Sequence, residues 1–417
     1  MRNYRQRSGL QPLPVWRLEN WNPLKRSDAP RLIWLLMVVA LAVVGSGTSP
    51  VARADGGAPN LAYVVGGGKS GNQLVVVDIA KRSVDWSVSL NQPQAIVLST
   101  DARFAYVAEA GANRVAIVDT RAQQVVGSMA VGSGPQAIAV DPLASVHWLF
   151  VANTNSNTLT ILDADTQRVR ATLPVGKEPV GVAAASLISG MSDSSSLEVY
   201  VANRASQTIS VITPGNLRTV ATIALPEPPC AITIPATGGI AYVATCPGKV
   251  LAVSLASHRV LGTLFANLGG NPGTMDYDAV TGQLYVPVPT RDQVVLLRPA
   301  GIRADGSLAA PPEPLRTLAY SGAPAAVAIT FDGALGFIAQ RSSGQVAEFD
   351  ATTRDTLGTV SVGGAPRAIV TGPYPPALNR QTSSTLTTWI YGAFALALAL
   401  FIALMVRDNI KRHRRSG

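Results

Sequence analysis

The chain has 417 residues, 47% of them hydrophobic and 14% charged, with a formal net charge of +9. So few charges beside so much apolar material exclude a disordered polyelectrolyte and leave enough for a large core. Taken whole, +9 suggests a nucleic-acid or anionic-surface binder, but the charge is unevenly placed. Residues 1–54 carry eight Lys or Arg against Glu19 and Asp28, residues 387–417 carry five against Asp408, and residues 55–386 hold 21 basic and 22 acidic residues. A body at net −1 removes the case for a nucleic-acid partner.

At the N-terminus a basic lead-in precedes the apolar run Leu32–Val44. A run of this length suits a signal-peptide core, and Ala52-Arg53-Ala54 supplies a small-residue cleavage site before Asp55. The lead-in is long for a signal peptide, so residues 1–54 read as a cleaved signal peptide or as an uncleaved signal anchor. In both cases residues 55–386 lie outside the cytoplasm.

Residues 55–371 are a sevenfold repeat. Pro93, Pro135, Pro179, Pro229, Pro272, Pro324 and Pro366 recur at intervals of 42–52 residues, each before a run of small apolar residues. A second series pairs an aromatic with a β-branched residue, as in Tyr63-Val64, Tyr106-Val107, Phe150-Val151, Tyr200-Val201, Tyr242-Val243, Tyr285-Val286 and Phe337-Ile338. A third runs apolar to an acid, as in Val115–Asp119 and Leu159–Asp163, and a fourth closes each unit in Val-Gly before the next proline. Four short β-rich segments per repeat, with no helical period, predict four-stranded propeller blades. The register begins on a second strand at Leu61 and ends on an innermost strand at Ala368–Thr371. The fold class is therefore all-β, a seven-bladed β-propeller with one-plus-three strand closure, which leaves no open sheet edge.

After a Pro, Ser and Thr linker over 372–386, Trp389–Val406 is uninterruptedly apolar or small, and Thr387 and Thr388 bring it to the ~20 residues a bilayer requires. Trp389 and Tyr391 suit the interface, and Arg407 with the Lys411–Arg415 cluster follows. The positive-inside rule makes 387–406 a C-terminal transmembrane helix and 407–417 a basic cytoplasmic tail. The lipid bilayer is thus an expected partner, and the propeller an extracytoplasmic, membrane-tethered domain.

The repeat units carry a specific likeness. Phe-Val-Ala-Asn at 150–153, Tyr-Val-Ala-Asn at 200–203, Asn157–Asp163 and Leu-Pro-Val-Gly at 173–176 resemble the YVTN-repeat β-propeller family over about 60–373. The strand-end acid becomes Thr213, Ser254 and Arg298, and the Asn becomes Glu109, Thr245, Val288 and Gln340. The resemblance implies an exported propeller used for binding or display and implies no reaction.

Strand order puts the Gly-x-x-Pro loops and the loops after the second strands on one face, around the central channel. Both chain ends and the insertions 186–196 and 301–316 leave from the opposite face, which the tether holds toward the membrane. On the free face, Gln94, Gln136, Asn153, Asn203, Arg204, Arg341 and Arg367 are the candidate ligand-binding residues. The three arginines suit a carboxylate-bearing or other anionic ligand. Cys230 and Cys246 stand nearly opposite across a hairpin and form a disulfide candidate. His147 and His258 fall on the tether face and cannot converge on the channel. Glu348 sits in a column otherwise apolar (Ile117, Ile161, Val211), so it is either paired or exposed.

No catalytic, metal or cofactor site emerges from these patterns. The expectation is a non-catalytic scaffold displaying its Gly-x-x-Pro loop face to a protein or cell-envelope ligand. The alternative is an exported propeller enzyme of lactonase-like or quinone-cofactor dehydrogenase-like type. The first would gather His, Glu and metal ligands in the channel, and the second would repeat a tryptophan docking motif, of which only Trp86 and Trp148 lie in the domain.

Overall fold

The computed structural model describes residues 61–142, 147–186, 197–235, 239–299 and 314–373. The predicted signal segment, the transmembrane helix, the cytoplasmic tail and most of the linker and insertions lie outside these residues. Among the described residues no helix is long and apolar enough to cross a membrane.

The chain forms seven four-stranded antiparallel sheets. In blade one the order is Ala368–Gly372, Leu61–Gly67, Gln73–Asp78, Ser83–Ser89, so the last strand of the chain is the innermost strand of the first sheet. Leu61 pairs with Gly372 and Val65 with Ala368. This is the predicted one-plus-three closure, and it pairs an edge that would otherwise stay open. The other blades run consecutively, with innermost strands Pro93–Leu98, Pro135–Val140, Pro179–Ser186, Pro229–Thr233, Asp276–Asp278 and Pro324–Ile329 in blades two to seven.

The core is a set of wedges between blades. Seven apolar clusters each join side chains of two neighbouring sheets, and one of them joins blade seven (Phe337, Val346) to blade one (Val64, Val75). The recurring aromatic of the second strand fills these wedges: Tyr63, Phe150, Tyr200, Tyr285 and Phe337 are all fully or almost fully buried. A sheet buried on both faces carries apolar residues at successive positions, which explains strands such as Leu74–Val77. Glu348, the charged residue in the apolar column, is paired: Arg82 of blade one donates Nε–H to its carboxylate at 2.8 Å, across the seam from blade seven.

Turns between third and fourth strands share one device. Asp119 Oδ1 accepts the amides of Arg121 and Ala122, and Asp350 Oδ1 those of Thr352 and Thr353. The side chain thereby substitutes for a backbone turn acceptor. Four residues on, the chain turns left-handed at Arg82, Gln123, Gln167, Leu217, His258 and Arg354.

Candidate functional site

The innermost strands begin with a proline followed by an irregularity. In blades two, three, four, five and seven the register slips just after the proline, as between Pro93 and Ala95 or Pro135 and Ala137. Proline has no N–H for the ladder, and the bulge leaves the next residue unpaired. That residue is pushed toward the axis: Gln94, Gln136, Val180, Cys230 and Ala325 all line a central cavity of ≈ 580 Å³.

The cavity has tiers. Its mouth carries the residue after each proline, Arg367 among them, and the residue just past the second strand in four blades, Thr154, Arg204, Pro289 and Arg341. One step deeper the wall is small, with Ala95, Ala137, Gly181, Ala231 and Ala368. The next step is branched and apolar, with Ile96, Ile138, Val182, Ile232 and Ile369. Among the described residues every charged group in the lining is an arginine, and no acid joins them.

These arginines are not equivalent. Arg204 donates from Nη2 to the Glu178 carboxylate, and that hydrogen bond holds Glu178 below the usual carboxylate range. Arg341 and Arg367 stand on adjacent blades, seven and one, with no acidic partner among the described residues. Loss of hydration at the channel mouth, and then the charge of Arg367, push the Arg341 guanidinium below its ordinary range. Two like charges that disfavour one another become favourable when an anion bridges them. Gln94 and Gln136 add neutral donors and acceptors on the next two blades.

Asn153 and Asn203 do not reach the cavity. Each is the last residue of its second strand, opposite the proline (Pro135↔Asn153, Pro179↔Asn203), and is fully buried. Asn153 donates from Nδ2 to Thr160 Oγ1 at 2.9 Å and Asn203 to Ser210 Oγ at 3.0 Å, tying second strand to third. The residues immediately after them, Thr154 and Arg204, reach the opening instead. Glu109 in the same column is likewise buried, paired with Arg114.

Cys230 and Cys246 are disulfide-bonded, with Cα atoms 5.0 Å apart, and Cys230 forms part of the cavity wall. His147 is exposed and paired with Asp165, at 2.9 Å. His258 places Nε2 2.9 Å from Glu198, whose carboxylate also accepts the Tyr200 hydroxyl at 2.5 Å. Burial and that carboxylate raise the Tyr200 hydroxyl far above its ordinary range. The cluster lies at the end of its strands away from the cavity, and no motif in the sequence assembles it. Among the described residues no group of three or more His, Cys, Asp or Glu side chains could hold a metal ion. Neither domain tryptophan lines the cavity. Trp86 packs edge-on against Tyr63, and Trp148 lies under the Arg170 guanidinium at 4.2 Å.

Asp276 is a second residue that no sequence motif marks. Thr274 donates its amide to the Ala325 carbonyl at 2.9 Å and accepts from Val327, so the innermost strands of blades six and seven meet in a parallel bridge. Gly273 permits the approach, since a Cβ there would fall 2.1 Å from the Ala325 oxygen. Asp276 continues this seam and accepts the Ile329 amide at 2.7 Å and its neighbour Tyr277's at 2.8 Å. Burial pushes its carboxyl up to about 6. Its place on the innermost strand is that of Val97, Ala139, Ala183 and Val370 in other blades, two residues deeper than the cavity-lining Thr274.

No protein-family model and no curated protein sequence matches the chain. Solved structures do. A hydrazine synthase of Kuenenia stuttgartiensis is 21% identical at a TM-score of 0.56, covering 68% of this chain and 90% of the other. A protein of unknown function from Desulfotomaculum acetoxidans is 14% identical at a TM-score of 0.63, covering 75% and 99%. The dihydro-heme d1 dehydrogenase NirN is 15% identical at a TM-score of 0.49, covering 78% of each chain.

These likenesses and the sheet order define the chain as a seven-bladed β-propeller. They also correct one expectation. The non-catalytic scaffold reading treated an exported propeller as a display device, whereas this fold is shared with a chain of an enzyme, hydrazine synthase. The absence of a recognisable motif therefore gives no ground for denying the chain a reaction.

Proposed function

We propose that this chain is an exported propeller enzyme of the YVTN-repeat type that acts on an organic anion bound in the central cavity. The observation carrying this reading is the cavity's charge. In a body near neutrality its lining holds three arginines and no acid, and two of those arginines lack an acidic partner among the described residues. Arg341 and Arg367 bind the substrate's carboxylate in this scheme, with Gln94 and Gln136 beside them. Among the described residues the cavity wall carries neither the His, Glu and metal ligands of a lactonase-like site nor a tryptophan, so the reading commits to the organic anion and to neither reaction type.

Cleavage of mono-4-nitrophenyl glutarate against neutral 4-nitrophenyl acetate tests the reading. The full-length chain should prefer the carboxylate-bearing ester. R341A/R367A should lose the preference through KM. Equal cleavage of both esters, unchanged in the variant, contradicts the proposal.

The segments outside the described residues complete the reading. Residues 1–54 export the chain, 387–406 tether it through the bilayer, and the Gly-x-x-Pro loop face points away from the membrane toward substrate. Alkaline phosphatase fused after Gly417 should be inactive and a cytoplasmic fluorescent reporter there active. The opposite pattern contradicts the orientation.

A further inference from the structure

The tiers below the arginines specify more than charge. We propose that the ligand of this cavity is an amphipathic organic anion, with its carboxylate between Arg341 and Arg367 and an apolar body lowered into the shaft. The inference deepens the organic-anion reading and rests on it. The two tiers below the mouth are alanine, glycine, isoleucine and valine in five of the seven blades. Two steps along an extended strand descend about 7 Å, the depth of a six-membered ring.

The cavity of ≈ 580 Å³ is larger than a bare carboxylate needs, and it lies within the size range of pockets that enclose small organic ligands. An inorganic or short-chain anion would satisfy the guanidinium pair and leave the apolar tiers against water. An apolar body removes that surface from water, and each buried methylene adds to affinity. The small second tier, where Gly181 and four alanines leave the shaft open, is what admits it. A neutral apolar molecule fails at the other end, because it would cover the mouth without meeting two unpaired guanidinium groups.

Titration calorimetry of the full-length chain with acetate, cyclohexylacetate and cyclohexylacetamide tests this. Cyclohexylacetate should bind roughly tenfold or more tighter than acetate, and the amide should bind far more weakly than its acid. R341A/R367A should abolish binding of both acids. A137N, which sets an amide in the apolar tier, should bring cyclohexylacetate down toward acetate while acetate binding persists, and that persistence reports that the variant is folded. If acetate and cyclohexylacetate bind equally and both need the arginines, the apolar-body inference falls and the anion site stands. If neither acid responds to loss of the arginines, the anion site falls with it.

Discussion

Six blades place an apolar or neutral side chain at the point of the innermost strand where blade six places Asp276, whose carboxyl is bonded to two backbone amides. The amides favour its ionised form, yet burial outweighs them and the carboxyl titrates at about 6 instead of its ordinary 3.8. A carboxyl whose folded value is raised stabilises the fold below pH 4 and loses that contribution as pH rises through 6. D276N keeps an acceptor for one of the two amides, turns an NH2 donor toward the other, and removes the charge. The lost bond costs the variant stability at every pH, and on top of it the wild type should lose up to about 3 kcal/mol relative to D276N between pH 4 and pH 8. Denaturant midpoints at the two pH values check this, and a difference equal at both would mean that Asp276 is not displaced. Aligning the columns would have exposed Asp276 in the sequence, as it exposed Glu348, but the blade-six strand begins late and carries Gly273 where others carry a side chain. Its seam with blade seven is a contact between repeats that a single repeat does not encode.

At the scale of the strand and its loop, two recurring motifs explain each other. The Asn that ends Phe-Val-Ala-Asn at 153 is fully buried, and a Cβ on Gly132 of the preceding Val-Gly loop would fall 2.7 Å from its amide and 2.5 Å from Ser156 Oγ. Gly176 stands in the same relation to Asn203. The glycine is small because the asparagine is anchored by hydroxyls and cannot swing aside. G132A should therefore cost about 1–3 kcal/mol, and in an N153A background the same change should cost less. A double-mutant cycle measures the difference, and additive losses would contradict the contact. Both motifs were visible in the sequence as a family resemblance, but the direction of the asparagine was not. Facing depends on the bulge after the proline, which turns the unpaired residue inward and leaves the strand-end residue between sheets. The arginines were legible for the converse reason: each lies just past a strand end or just after a proline, where no partner strand competes for its side chain.

Over the whole molecule, the repeat made the architecture readable. Seven prolines and seven aromatic pairs fixed the blade count, and the strand missing at the start and supplied at the end fixed the closure. What the repeat could not convey was chemistry, because a binding surface arises where the blades differ. Closure brings together residues from opposite ends of the propeller sequence: blade one draws Arg367 from the chain's end and sets it beside Gln94 of blade two. The net charge of +9 likewise dissolves at this scale into two basic tails and a body at −1, and within that body a cavity whose charged lining is wholly cationic. The most direct measurement of anion binding at this site is the stoichiometry and affinity of an organic carboxylate for the full-length chain and for R341A/R367A. One site per chain in the wild type, weakened at least tenfold in the variant and by added salt, is the result predicted. Saturation of the variant at the same affinity would contradict it.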